Sequence, residues 1–168
     1  RGKDWGAGGY AGCGLLATQP GARALPIGPK WHTHNQGHFA QGRPTSPPHQ
    51  GYLCRAIWRE DGFTLLEADT AGGFTTVPVV FAGKQLELNA WTRFGGEVRV
   101  ELVDAGGEAM EGGEAIAGRS FAECDPLSGD AVDHVVTWNG KSDLTAWSGK
   151  PVRLRFRMCR ARLHAFQV

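Results

Sequence analysis

The chain has 168 residues, which suits a single domain of ordinary size with a core of its own. Its formal net charge is +1, so no bulk field draws it to nucleic acid or to an anionic membrane. No run approaches the roughly 18 consecutive apolar residues of a membrane helix, and the opening "RGKDWGAGGY" has neither Met nor an apolar signal core, so the chain reads as a mature or excised piece, with localisation open between the cytoplasm and secretion.

The composition changes near residue 51. Residues 1–50 hold 10 of the 25 Gly, 6 of the 9 Pro and 4 of the 6 His, with no Val and no Glu. Such a segment has few branched apolar side chains to build an interior, and Gly and Pro interrupt both regular periods. It is expected to be mostly irregular, with one or two short strands around "GLLAT" and "WHTHN". It reads as a segment packed on the rest or a remnant of a preceding domain. Residues 51–168 form the second part.

In that part strand patterns follow one another in chain order. "YLCRAIW" (52–58), "FTLLEA" (63–68) and "FTTVPVVF" (74–81) are separated by "EDG" and by the Gly72–Gly73 pair, both read as turns. Pro78 points to a strand edge or bulge. "QLELNAWT" (85–92) and "EVRVELVD" (97–104) alternate, the second placing Val98, Val100 and Leu102 against Glu97, Arg99 and Glu101. "AIAGRSFAEC" (115–124) is a weaker strand signal and "AVDHVVTW" (131–138) a stronger one. "SDLTAWSG" (142–149) reads as a helical turn capped by Ser142 and stopped at Gly149. "PVRLRFRM" (151–158) alternates Arg153, Arg155 and Arg157 with apolar residues, and "ARLHAFQV" (161–168) closes the chain. Eight or nine short strands with Gly-rich turns predict an all-β, two-sheet antiparallel sandwich, jelly-roll-like, behind an irregular Gly/Pro/His-rich N-terminal segment.

The ordered run "REDGFTLLEA", "TTVPVVFAGKQLELNA", "GEVRVELVDAGGEAMEG", "CDPLSGD", "VTWNGKSDLTAWSGKPVRLRF" and "ARLHAFQV" resembles the C-terminal β-sandwich module of bacterial glycosyl-hydrolase-like proteins, of the propeller-plus-sandwich, family 32-like kind. The resemblance covers about residues 51–168. It implies a carbohydrate-associated accessory module that binds sugar or supports a catalytic neighbour. In such proteins the catalytic carboxylates lie in the propeller, which is not encoded in this chain, and the composition of residues 1–50 fits poorly with a propeller blade.

Several groups are candidates for chemistry. Trp91, Trp138 and Trp147, with Arg93 and Asn139, fall near strand ends or turns. Aromatic rings stack on sugar faces while Arg and Asn hydrogen-bond the hydroxyls, so Trp91, Arg93, Trp138 and Asn139 form the expected carbohydrate set. The bland alternative is that Trp91 and Trp138 pack in or along the core. In "WHTHNQGH", His32, His34 and His38 read H-x-H-x3-H. If extended, the first two share a face, and the three could bind Zn and activate water, with His49 or His134 as substitutes. That is the competing reading, a small metal-dependent hydrolase; solvated loop histidines are the plain one. Asp125, Asp130 and Asp133 could hold Ca²⁺, though Asp-Pro and Gly-Asp turns explain them equally. Glu60–Asp61 and Glu97 or Glu101 offer carboxylates for glycoside hydrolysis, with nothing to single out a pair.

Arg153, Arg155 and Arg157 share a strand face, read as a salt-bridged outer sheet opposite Glu97, Arg99 and Glu101 in preference to an anion site. Cys13, Cys54, Cys124 and Cys159 show no C-x2-C spacing, and buried free thiols are favoured over two disulfides. Exposed strand edges make a homo-oligomer an expected state.

Overall fold

A computed structural model describes residues 10–11, 16–28, 54–105 and 113–168. Among these residues the chain is all-β, with two antiparallel sheets and no α-helix, the make-up of the sandwich-like class expected from the strand pattern. Two compact units divide between Glu60 and Asp61.

The first unit holds β1 (Tyr10–Ala11), β2 (Leu16–Gln19), β3 (Ala22–Gly28) and β4 (Cys54–Arg59). One edge of β3 pairs with β1 and β2, and the other with β4, from Ala22 opposite Arg59 to Ile27 opposite Cys54. Gly21, at φ 75, makes the tight β2–β3 connection that a residue with a Cβ resists. The Glu60 N–H donates to the Gly21 carbonyl at 2.8 Å, and Glu60 also pairs with Arg23. The "YLCRAIW" strand therefore belongs with the N-terminal segment, and the division falls about ten residues later than the change in composition suggests. Composition misplaced it because the chain turns poor in Gly and Pro at the last strand of the first sheet, not at its end. Strand β3, which carries Pro26, runs through the Gly/Pro-rich segment expected to be mostly irregular.

The second unit is a sheet in the order β5-β8-β6-β7, where β5 is Leu66–Thr75, β6 Glu87–Asp104, β7 Asp130–Val135 and β8 Val152–Gln167. Its two central strands are 18 and 16 residues long, each joining two of the short strands expected from sequence. On β6 the Gly95–Gly96 pair lies inside a bulge, and on β5 the Gly72–Gly73 pair is not a turn but continues the strand, in register with Met158 and Arg157. Registers slip between Thr92 and Glu97 on β6 and between Ala68 and Ala71 on β5, and opposite them Arg160 on β8 sits at φ 46. A bulge of this kind absorbs extra residues, bends the strand and lets it continue. A Cβ on Gly96 would come 2.5 Å from the Arg160 carbonyl oxygen, so this crossing needs a bare backbone.

Alternation sorts the side chains. Leu88, Ala90, Val98, Val100 and Leu102 of β6 join Val152, Leu154, Phe156, Met158, Ala161 and Leu163 of β8 in one buried cluster. Phe81, Leu86, Cys124, Leu127, Val136, Trp138 and Leu144 close over that face from the connections between strands. Beyond the end of β7, residues 113–127 take over the β6 edge. Val98 and Leu127 exchange both backbone bonds, at 2.9 and 3.0 Å, and Leu102 bonds Arg119 and Ile116. Residues 76–81, expected to be strand, form no named strand; they hold to β8 through the Val79–Val152 bridge and the Thr76 N–H on the Leu154 carbonyl. The helical turn is a 3-10 helix, Thr145–Trp147. Its start is organised by Asp143, whose carboxylate accepts the Thr145 N–H at 2.9 Å, while Ser142 accepts from Gln85.

Candidate functional site

The same alternation that buries one face of the sheet loads the other with charge. The register sets Glu97 opposite Cys159, Arg99 opposite Arg157, Glu101 opposite Arg155 and Val103 opposite Arg153. Glu101 is almost fully enclosed. One of its oxygens accepts from Arg155 at 2.5 Å and the other from the Phe121 N–H at 3.1 Å. Arg99 reaches Glu97 at 3.1 Å and the carbonyls of Cys124 and Phe121 at 2.8 and 3.3 Å. Both carboxylates of this strip are thus held by guanidinium groups, and Phe121 is held by Glu101 at its N–H and by Arg99 at its carbonyl. The salt-bridged outer sheet expected from sequence is present.

Arg157 differs from its neighbours. Its side chain is exposed and its guanidinium carbon lies 4.2 Å from the centroid of the Phe121 ring. That is a close cation–π contact, and it leaves the N–H edge of the guanidinium open. Opposite it, β5 supplies almost no side chain. Ala71 pairs with Cys159, Gly73 with Arg157 and Thr75 with Arg155. Gly73 cannot carry a side chain, because a Cβ there would lie 2.5 Å from the Phe156 carbonyl oxygen. The small residues on β5, the arginines of β8 and Phe121 enclose an open groove of about 1040 Å³. This is at the upper end of the usual ligand-site range of about 300–1,000 Å³.

Past the Arg160 bulge the same outer face carries Trp91. Arg162 lies across from it in register, its guanidinium 5.2 Å from the indole ring, and donates to Glu67 at 2.7 Å. Arg93 reaches Asp69 at 3.3 Å and Glu67 at 3.6 Å. Trp91 and Arg93 of the expected carbohydrate set are therefore brought to one patch, with one ring face shared with Arg162.

Trp138 and Asn139 do not join them. Trp138 is 1% exposed and belongs to the core, and its indole N–H donates to the Val100 carbonyl at 2.9 Å. It has no ring face for a sugar. The Arg119 guanidinium lies 5.2 Å from its ring and 5.0 Å from that of Trp147, a stacking with no local signal among these residues. Asn139 occupies a left-handed turn position at φ 51, exposed, its N–H bonded to the Glu123 carbonyl.

The acids around "CDPLSGDAVD" are dispersed. Asp125 accepts from the Thr137 hydroxyl at 2.6 Å and from the Gly140 N–H at 2.8 Å. Those bonds, the Thr137 hydroxyl foremost, hold its carboxyl below the ordinary range. Asp130 starts β7 opposite Trp91, and Asp133 is exposed further along that strand. Among the described residues no group of three or more His, Cys, Asp or Glu is placed to hold a metal ion. His32, His34 and His38 lie outside the described residues, as do His49 and Cys13. Of the Glu60–Asp61 pair also considered for hydrolysis, Glu60 is taken up by Arg23 and Asp61 sits at a left-handed turn position, φ 48. Cys124 and Cys159 are free thiols; Cys124 is buried, and burial pushes its thiol pKa up, while Cys159 is partly exposed on the groove. Among the described residues no helix is long and apolar enough to cross a membrane.

No family model, no curated protein and no solved structure matches the chain.

Proposed function

We propose that the chain is a carbohydrate-binding accessory module, working through the groove on the outer face of its β5-β8-β6-β7 sheet beside a catalytic neighbour. One observation carries the reading: an open groove with a rigid, charge-paired floor, a ring-backed arginine and a wall reduced to Ala71, Gly73 and Thr75. Sugar sites combine a flat apolar support with a few fixed hydrogen-bonding groups, and an open trough admits a chain of rings. The glutamates on this face are engaged by Arg99 and Arg155, which favours binding over acid–base chemistry. The Trp91–Arg93 patch on the same face supplies a second contact region for an extended ligand. The resemblance of residues 51–168 to sandwich modules of glycosyl-hydrolase-like proteins supports the same reading.

The test is retardation of the protein in gels cast with soluble polysaccharides. Ala71→Trp fills the groove from an exposed edge-strand position and is expected to abolish retardation, while leaving thermal unfolding unchanged. Full retardation of a folded Ala71→Trp protein places the ligand elsewhere.

A further inference from the structure

Resting on that reading, we infer that the saccharide taken by the groove is acidic, its carboxylate met by the guanidinium of Arg157. The charges on the groove side of the sheet do not cancel. Glu97 is spanned by Arg99, and Glu101 by Arg155, which leaves Arg157 over. Among the described residues Arg157 makes no hydrogen bond and no ion pair, and its one contact of note is the Phe121 ring. Other arginines of the outer face do have polar partners. Arg162 bonds Glu67, Arg153 the Thr76 carbonyl, and Arg160 the Gly95 carbonyl.

The geometry around Arg157 is that of a presented cation. Phe121 is itself fixed at both backbone groups, its N–H on Glu101 and its carbonyl on Arg99, so the ring is a firm support. A guanidinium resting on a ring keeps its in-plane N–H donors free, and those donors match the two oxygens of a carboxylate. The residue facing it across the strands is Gly73, so nothing on β5 fills the space a ligand carboxylate needs. A neutral sugar would leave this cation unmatched. A uronate chain satisfies it while its rings occupy the trough.

The experiment uses the full chain against a panel of carboxylated polysaccharides (polygalacturonate, alginate and hyaluronan), each paired with its carboxyl-esterified, neutral form, and dextran sulfate as a polyanion control. The expected result is binding to at least one uronate chain, with loss on esterification. Arg157→Gln is expected to weaken that binding about tenfold or more, and Arg157→Lys, which keeps the charge without the fork, by an intermediate factor. Thermal unfolding of both variants should match the parent, since the side chain is exposed. Equal binding to the esterified chain, with no effect of Arg157→Gln, overturns the acidic assignment and leaves the carbohydrate reading standing. Binding to dextran sulfate as strong as to any uronate, unaltered in Arg157→Gln, overturns it as bulk charge attraction. No binding to any panel member, neutral or acidic, together with no hit among neutral polysaccharides in the gel assay, overturns both.

Discussion

The indole N–H of Trp138 donates to the carbonyl oxygen of Val100 at 2.9 Å, at a residue that is 1% exposed. The bond ties the 136–147 connection to the middle of β6 and closes the core over Val100 and Leu154. Truncating a buried tryptophan costs about 3–5 kcal/mol. Trp138→Ala is therefore expected to lower unfolding stability by that order in denaturant titration. Trp138→Phe should cost about 1–3 kcal/mol for the carbonyl left without its donor. A loss below about 0.5 kcal/mol in Trp138→Ala, the range of ordinary surface changes, would remove Trp138 from the core.

Glu101 and Arg155 form the second structural anchor of the outer face. The carboxylate is nearly enclosed while the guanidinium is a quarter exposed, so solvent screens one side of the pair. Arg155→Met strands a buried carboxylate and is expected to destabilise by about 1–3 kcal/mol, an effect that Glu101→Gln in the same chain should partly relieve. A double-mutant cycle measures the coupling, and a coupling near zero contradicts the pairing.

Much of this architecture was legible in the residues. Val98, Val100 and Leu102 against Glu97, Arg99 and Glu101 is a pattern a half-buried strand satisfies, and the Arg153-Arg155-Arg157 stripe lies on the outer face as its alternation implied, with Arg155, alone of the three among the described residues, salt-bridged to that strand. The bulges were not legible. Gly72–Gly73, which continues β5 past a close approach to β8, and Gly95–Gly96, which lies in the β6 bulge, are as good a signal for a turn, because all three need a backbone without a Cβ. Only the pairing of distant strands decides between them. Trp138 was equally ambiguous, since an indole beside Asn-Gly serves a sugar platform and a core plug alike. The groove arises from the register of Gly73 with Arg157 and from Phe121 arriving by way of a connection. Neither pairing is local in sequence.

Acid should unfold the second unit in a way traceable to its turns. Hydrogen bonds from Thr137, from Ser120 and from Thr145 hold Asp125, Glu123 and Asp143 below their ordinary pKa values. A depressed folded-state pKa contributes stability that is present above the unfolded value, about 4, and is lost as pH falls through the folded one. The melting temperature is expected to drop on acidification below about pH 4, with no contribution from these groups between pH 5 and 8. Thr137→Val removes the chief cause at Asp125 and should make the acid slope shallower. An unchanged slope contradicts the assignment.

The two described thiols should separate by reactivity. Cys124 is buried, accepts the Val100 N–H and has its thiol pushed up by burial, so little thiolate forms. Cys159 is partly exposed on the groove. Peptide-resolved alkylation of the native protein should modify Cys159 well before Cys124, and the reverse order would contradict this placement. A bulky maleimide on Cys159 should block polysaccharide binding.

The most direct measurement is a ¹⁵N-resolved NMR titration of the whole chain with the polysaccharide fragment that retards it most. The account predicts shift changes concentrated at Gly73, Thr75, Phe121, Arg157 and Cys159, spreading to Trp91 for longer fragments. Changes confined to the Asn139 turn or to the first unit, with the groove resonances unmoved, would contradict it.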